Sequence, residues 1–366
     1  MSFITNLFKS PSRKPRLSKP PISIPPIDKT EDIPFDSTIP YSMVIKIPHT
    51  GSLRPIGMSY WRNINFHKHD PFLKVLLSIN DQLTIFTLSK YNLEVINVTP
   101  LEFHHTGEGC FWSVQNSNLL YIPLGNEMLA VDVTTGEKEI IFKLPTNEII
   151  WQAHTGFYEN TWSCSVKDAN SYQIKHWLIF KNNIYKPYDI VGEPDECQID
   201  KSEDWFLIKE DNLNRIFNIK DNRNYTILNE EGALGHSDMC FNGALGEDDY
   251  NNEPGALVYW NFETMEKKLI YSTGIWNMGY FSFTNAIPNL PIEKQKGLIT
   301  TPNELVSVGL DAWGAGMEVC PIIPWNKDTP YDHRPKANLC PLGNYACWTE
   351  FENEQLVAKI VRVPSW

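Results

Sequence analysis

The sequence predicts an all-β chain, built as a β-propeller of seven four-stranded blades behind an extended N-terminal arm. Three observations carry that prediction. Short apolar runs alternate with turn signals from Tyr41 onward, and no window offers a long stripe of helical period. A unit of strand, tight polar turn and strand returns at a period of about 40 to 45 residues, the length of one four-stranded blade. Prolines at 11, 15, 20, 21, 25, 26, 34 and 40 deny the first forty residues both helix and ladder and favour extended chain.

The arm, residues 1–40, comes first. Its first twenty residues hold Lys9, Arg13, Lys14, Arg16 and Lys19 and no acid, so that stretch carries +5 on a chain of net charge −12. The rest is therefore at −17, a basic tail on an acidic body. Such a segment buries little core and is expected to become ordered along a partner surface, with Phe3 and Phe8 as apolar anchors and the five cations meeting an acidic partner. Other protein subunits of a larger assembly are the expected partners. Nucleic acid is not expected to bind an acidic body.

Residues 41–366 are expected to form the propeller. Tyr41–Ile47 suits the strand that closes the ring on the last blade. Phe72–Ile79 and Leu83–Leu88, joined by Asn80 and Asp81, read as a hairpin. The repeat itself is carried by Met128–Phe142, Asn214–Leu228 and Leu257–Tyr271, with room for one further unit between the first two. Counting outward places units at about 56–99, 108–144, 150–191, 194–229, 232–274, 276–322 and 334–364. Two stacked β-sandwiches explain the strands but not the period.

Composition supports a packed core, with 42% hydrophobic and 12% aromatic residues. The seven cysteines are scattered without the spacing of a zinc site or disulfide framework, and read as small buried hydrophobes in a reducing compartment. The first residues lack the pattern of a secretory leader, and no window approaches a membrane span. The expected setting is a virion made in a host cytoplasm, or else the cytoplasm itself.

The turn Val131–Glu137, the run Asp195–Ser202 with Trp205–Glu210, and Asn338–Thr349 resemble the repeats of TolB-like and WD40-like propellers. The likeness covers most of residues 56–364. That scaffold carries hydrolases, lyases, receptors and virion parts alike, so it implies fold more than activity. The oligogalacturonate lyase-like propellers are one enzymatic subset, and resemblance to them implies a divalent metal held by histidines and a glutamine on the central funnel. His105, His154, Gln198 and His236 are the funnel candidates for that role, with Glu196 and Asp238 beside them. Structural, hydrogen-bonded histidines at the same positions are the preferred reading, and no functional metal is expected.

No nucleophile elbow, Cys/His signature or phosphate loop is present, so no catalytic residue and no cofactor are assigned. Gly243 to Asp249 is an acidic loop without the ligand spacing of a calcium site, and reads as a solvated turn. The function expected from these features is a non-enzymatic structural or interaction protein, such as a bacteriophage tail, neck or capsid-associated component. A metal-assisted polysaccharide lyase or hydrolase working at the funnel is the alternative, with a glycan as its ligand.

Overall fold

In the computed structural model the chain is described over residues 64–363, apart from 66–71, 80, 91, 106–108, 212, 229–230, 249–254, 275–279, 284–293, 312–315, 327, 331–332, 336 and 341–342. The arm and Tyr41–Ile47 lie outside the described residues.

Seven antiparallel sheets follow one another along the chain, and within each the strands are ordered as they occur in sequence. Blade 1 comprises β1 (Ile64–Asn65), β2 (Phe72–Ile79), β3 (Gln82–Ser89) and β4 (Val95–His104). Blade 2 comprises β5 (Phe111–Trp112), β6 (Leu119–Leu124), β7 (Glu127–Asp132) and β8 (Lys138–Lys143). Blade 3 comprises β9 (Glu148–Thr155), β10 (Thr161–Asp168), β11 (Ile174–Lys181) and β12 (Ile184–Tyr188). Blade 4 comprises β13 (Pro194–Ile199), β14 (Trp205–Glu210), β15 (Leu213–Asn218) and β16 (Asn224–Leu228). Blade 5 comprises β17 (Ser237–Cys240), β18 (Gly243–Glu247), β19 (Ala256–Asn261) and β20 (Glu266–Ser272). Blade 6 comprises β21 (Tyr280–Phe283), β22 (Lys296–Thr300), β23 (Glu304–Gly309) and β24 (Gly316–Pro321). Blade 7 shows β25 (Asn338–Leu339), β26 (Tyr345–Glu352) and β27 (Gln355–Arg362) among the described residues.

Burial explains why these segments are strands of this fold. The two middle strands of a blade are covered on both faces, and their sequences are near-continuous apolar runs, such as Trp205–Ile208 and Ala256–Trp260. Outer strands face solvent on one side and alternate, as in Asn224–Leu228.

The apolar side chains divide into seven clusters, each of which joins two neighbouring blades. Blades 1 and 2 meet through Leu76, Ile85, Trp112 and Leu129, and blades 2 and 3 through Phe111, Tyr121, Trp162 and Phe180. Trp177, Ile199 and Phe206 join blades 3 and 4. Trp205, Ile216, Trp260 and Phe262 join blades 4 and 5. Blades 5 and 6 share Leu257, Ile299 and Val308, and blades 6 and 7 share Leu298, Leu305 and Trp348. The seventh cluster packs Leu73, Val75 and Phe86 of blade 1 against Tyr345, Cys347 and Ile360 of blade 7. The ring is thereby closed, and no blade buries its faces alone.

The expected repeat is visible, among the described residues, as one turn used three times between third and fourth strands. Asp132, Asn218 and Asn261 end the third strands of their blades, and each Oδ1 accepts two backbone N–H groups of the following turn, at 2.8 to 3.2 Å. Four residues on, Gly136, Asn222 and Met265 all take left-handed backbone, with φ of 77°, 60° and 59°.

One boundary differs from expectation. The first unit was expected to end at 99, whereas β4 runs on to His104. Pro100 lies inside it, opposite Thr84, and is tolerated because an outer strand can leave a backbone donor position unused.

Candidate functional site

Antiparallel order fixes two faces of the ring. The loops leading from an outer strand to the next inner strand share one face, here the crossover face, and each inner strand runs from it toward the face carrying the first turns. The funnel candidates fall at different heights along that path. His105 follows β4 in the crossover from blade 1, where its Nδ1 lies 3.5 Å from Cys110 Sγ and its carbonyl accepts a hydrogen bond from Ser78 Oγ at 2.8 Å. His236 directly precedes β17 on the crossover face. Gln198 lies within β13 and donates from Nε2 to the Ser237 carbonyl at 3.2 Å. His154 lies one residue from the far end of β9, opposite Ser163, and is buried.

Contacts between blades set the relative heights. Ser165, opposite Gln152, lies with its Oγ 3.7 Å from Cys197 Sγ, and the next residue, Gln198, reaches Ser237. Gln152 and His236 are therefore level, and His154 is two residues deeper, roughly 7 Å along the strand. Of the four funnel candidates, Gln198 and His236 are brought close together, His105 lies on the same crossover face but in blade 1, and His154 lies deeper along its strand. Among the described residues no three His, Cys, Asp or Glu side chains gather closely enough to hold a metal ion. The described residues thus show no such cluster for a resident metal.

What does assemble is a charged cluster at the mouth between blades 4 and 5. Lys209, on β14, forms an ion pair with Glu196 on β13, lies 3.9 Å from Asp195 Oδ2, and donates to the Gly235 carbonyl at 2.6 Å. The Lys209 side chain is 5% exposed, so its ammonium is stable there only because these partners replace water. Burial pushes the Glu196 carboxyl above its ordinary range, while Lys209 and His236 pull it back. Beside it, His236 Nδ1 lies 3.7 Å from Glu247 Oε2, with the imidazole 47% exposed and the carboxylate 16%.

Glu247 ends β18, and Asp248 is buried against Lys267 at 2.7 Å. This part of the acidic loop is thus not a solvated turn. Lys209 and Glu247 carried no signal in the sequence as partners of His236. Lys209 stands at the end of the apolar run Trp205–Ile208, and a cation in a strand buried on both faces is the one local hint that it needs carboxylates nearby.

A second set of carboxylates occupies the first turns on the opposite face. Glu159 of blade 3 accepts from Ser113 Oγ, Val114 N and Tyr121 OH of blade 2, each at 2.7 Å for its shortest contact. Glu203 of blade 4 accepts from Asn160 N of blade 3 at 3.2 Å. Asp200 accepts from Asn242 N of blade 5 at 2.9 Å. These groups tie neighbouring blades together, and burial raises the pKa of all three.

No protein-family model matches the chain, and no curated protein sequence matches it. Solved structures do match. The oligogalacturonate lyase of Vibrio parahaemolyticus superposes with a TM-score of 0.62 at 11% identity, covering 88% of this chain and 94% of that one. An oligogalacturonate lyase in complex with manganese gives 0.59 at 12% identity, with 88% and 98% covered. The hydrazine synthase of Kuenenia stuttgartiensis gives 0.53 at 9% identity, with 87% and 99% covered. The expectation of a non-enzymatic chain is corrected by these superpositions, because the folds matched along most of its length include those of lyases. At such identities the likeness shows one thing, that the chain has the β-propeller fold these enzymes share.

Proposed function

We propose that this propeller is a carbohydrate-active protein whose working site is the crossover-face mouth between blades 4 and 5. The observation that carries the reading is the half-exposed His236, 3.7 Å from the largely buried Glu247 carboxylate and next to the Glu196–Lys209 pair. An imidazole beside a carboxylate is a pairing that general acid–base chemistry uses. The saccharide class is suggested by the lyases that share the fold. Among the described residues no three His, Cys, Asp or Glu side chains gather to hold a metal ion, and the reading routes no step through one.

The test is turnover of a panel of acidic, neutral and amino polysaccharides by the purified chain, followed by unsaturated-product absorbance and by new reducing ends. Turnover is expected on at least one class, with His236→Ala lowering the rate by about 100-fold or more. Absence of both turnover and binding across the panel overturns the reading.

A second reading, attachment to a larger assembly such as a bacteriophage particle, is supported by the charge distribution alone: five cations and no acid in the first twenty residues, with the remaining residues, 21–366, at −17. Deleting residues 1–35 is expected to leave the thermal transition nearly unchanged and to abolish incorporation into the parent assembly, with raised salt weakening attachment of the full chain. Normal incorporation of the truncated chain removes the arm from consideration.

A further inference from the structure

The polar groups at the mouth between blades 4 and 5 are unequally divided between acceptors and donors. Asp195, Glu196 and Glu247 bring three carboxylates. Against them, among the described residues, stands the ammonium of Lys209, already engaged by Glu196 and by the Gly235 carbonyl.

Directly inward, Gln198 lies two residues beyond Glu196 and so on the same face of β13. Its amide nitrogen is fixed on the Ser237 carbonyl, which assigns the other amide atom as the oxygen. That Oε1 and the Ser237 Oγ have no hydrogen-bond partner among the described residues, although Gln198 is 2% exposed and Ser237 1%. Buried polar atoms of this kind call for a partner. The Oε1 is an acceptor only, so its partner must donate.

Resting on the carbohydrate reading above, we infer that this mouth takes a saccharide bearing a protonated amino group, which enters between β13 and the segment leading into β17. A primary ammonium offers three donors and one positive charge. It thereby matches the acceptor oxygens of Gln198 and Ser237 and the excess of carboxylate at the rim. A uronate makes the opposite demand, for cations and donors, and would meet the rim carboxylates with like charge.

The experiment is calorimetric binding of glucosamine oligomers, N-acetylglucosamine oligomers and galacturonate oligomers to the full chain at low and high salt. Glucosamine oligomers are expected to bind at least about tenfold more tightly than the acetylated ones, the advantage shrinking as salt rises. Gln198→Leu and Glu247→Gln are each expected to weaken that binding by about tenfold. Glu247→Gln, at the half-open rim, serves if the Gln198 variant does not fold. Equal or tighter binding of acetylated or galacturonate oligomers, lost in His236→Ala, overturns the amine inference and leaves the carbohydrate reading standing. Glucosamine binding untouched by Glu247→Gln also overturns it, and binding of no sugar at all overturns both.

Discussion

Glu203 sits where a carboxylate is costly. It is 4% exposed, its backbone is left-handed at φ 65°, and its oxygens reach across to Asn160 N of the preceding blade. Burial pushes its carboxyl up to about 7, against the opposing pull of the Asn160 and Thr161 hydrogen bonds and of the Lys181 charge; Asp200, Lys201 and Asp204 belong to the same turn. An unfolded glutamate titrates near 4.5, so between 4.5 and about 7 the folded chain holds the proton more tightly. This group's contribution therefore falls as pH rises through that window, by up to about 3 kcal/mol. Glu203→Gln is expected to melt higher than the parent at pH 8 and level with it near pH 4.5; parallel pH profiles for the two proteins would refute this. Gly156 belongs to the same contact, because a Cβ there would run into the Glu203 side chain and stand 2.8 Å from the Asp200 carbonyl. Gly156→Ala is expected to cost about 1 to 3 kcal/mol, read from the urea midpoint.

At the scale of the element, the turn from third to fourth strand is the unit that repeats. Its asparagine or aspartate replaces two missing backbone acceptors with one side-chain oxygen, and the residue four positions on must adopt left-handed backbone. Glycine does so at position 136 without strain, while Met265 does so at a cost and recovers part of it by packing on the core between blades 4 and 5. Asp132→Ala is expected to lose about 1 kcal/mol. The loss should appear first as faster amide exchange in β7 and β8, and unchanged exchange there would show that the turn holds by other means.

For the whole molecule, closure is the decisive feature. Each seam between blades is an apolar cluster, and the seam between blades 7 and 1 joins residues more than 250 positions apart, with Tyr345 OH donating to the Lys90 carbonyl at 2.9 Å. No disulfide supports it, all seven cysteines being free and buried. Tyr345→Phe keeps the ring in the cluster and deletes that hydrogen bond, and is expected to destabilise by about 1 kcal/mol. Exchange should then accelerate in β2, β3, β26 and β27 ahead of the other blades. An even rise around the ring would mean that closure is shared by all seams rather than limited by the last.

The sequence by itself determined the strands, their period and six of the seven blade boundaries to within a few residues, because alternation, apolar runs and Asx turns act over a handful of neighbours. The first boundary was misplaced where Pro100 mimics a strand end, since only the sheet reveals that this strand is an outer one. The mouth between blades 4 and 5 was decided by tertiary structure. His236 was visible as a residue, but its neighbours Lys209 and Glu247 come from second strands of two blades, and Glu196 from an inner strand. No local pattern records which charged side chains will share a buried space. That depends on the height at which one blade packs against the next, a quantity set by the apolar seams around the ring.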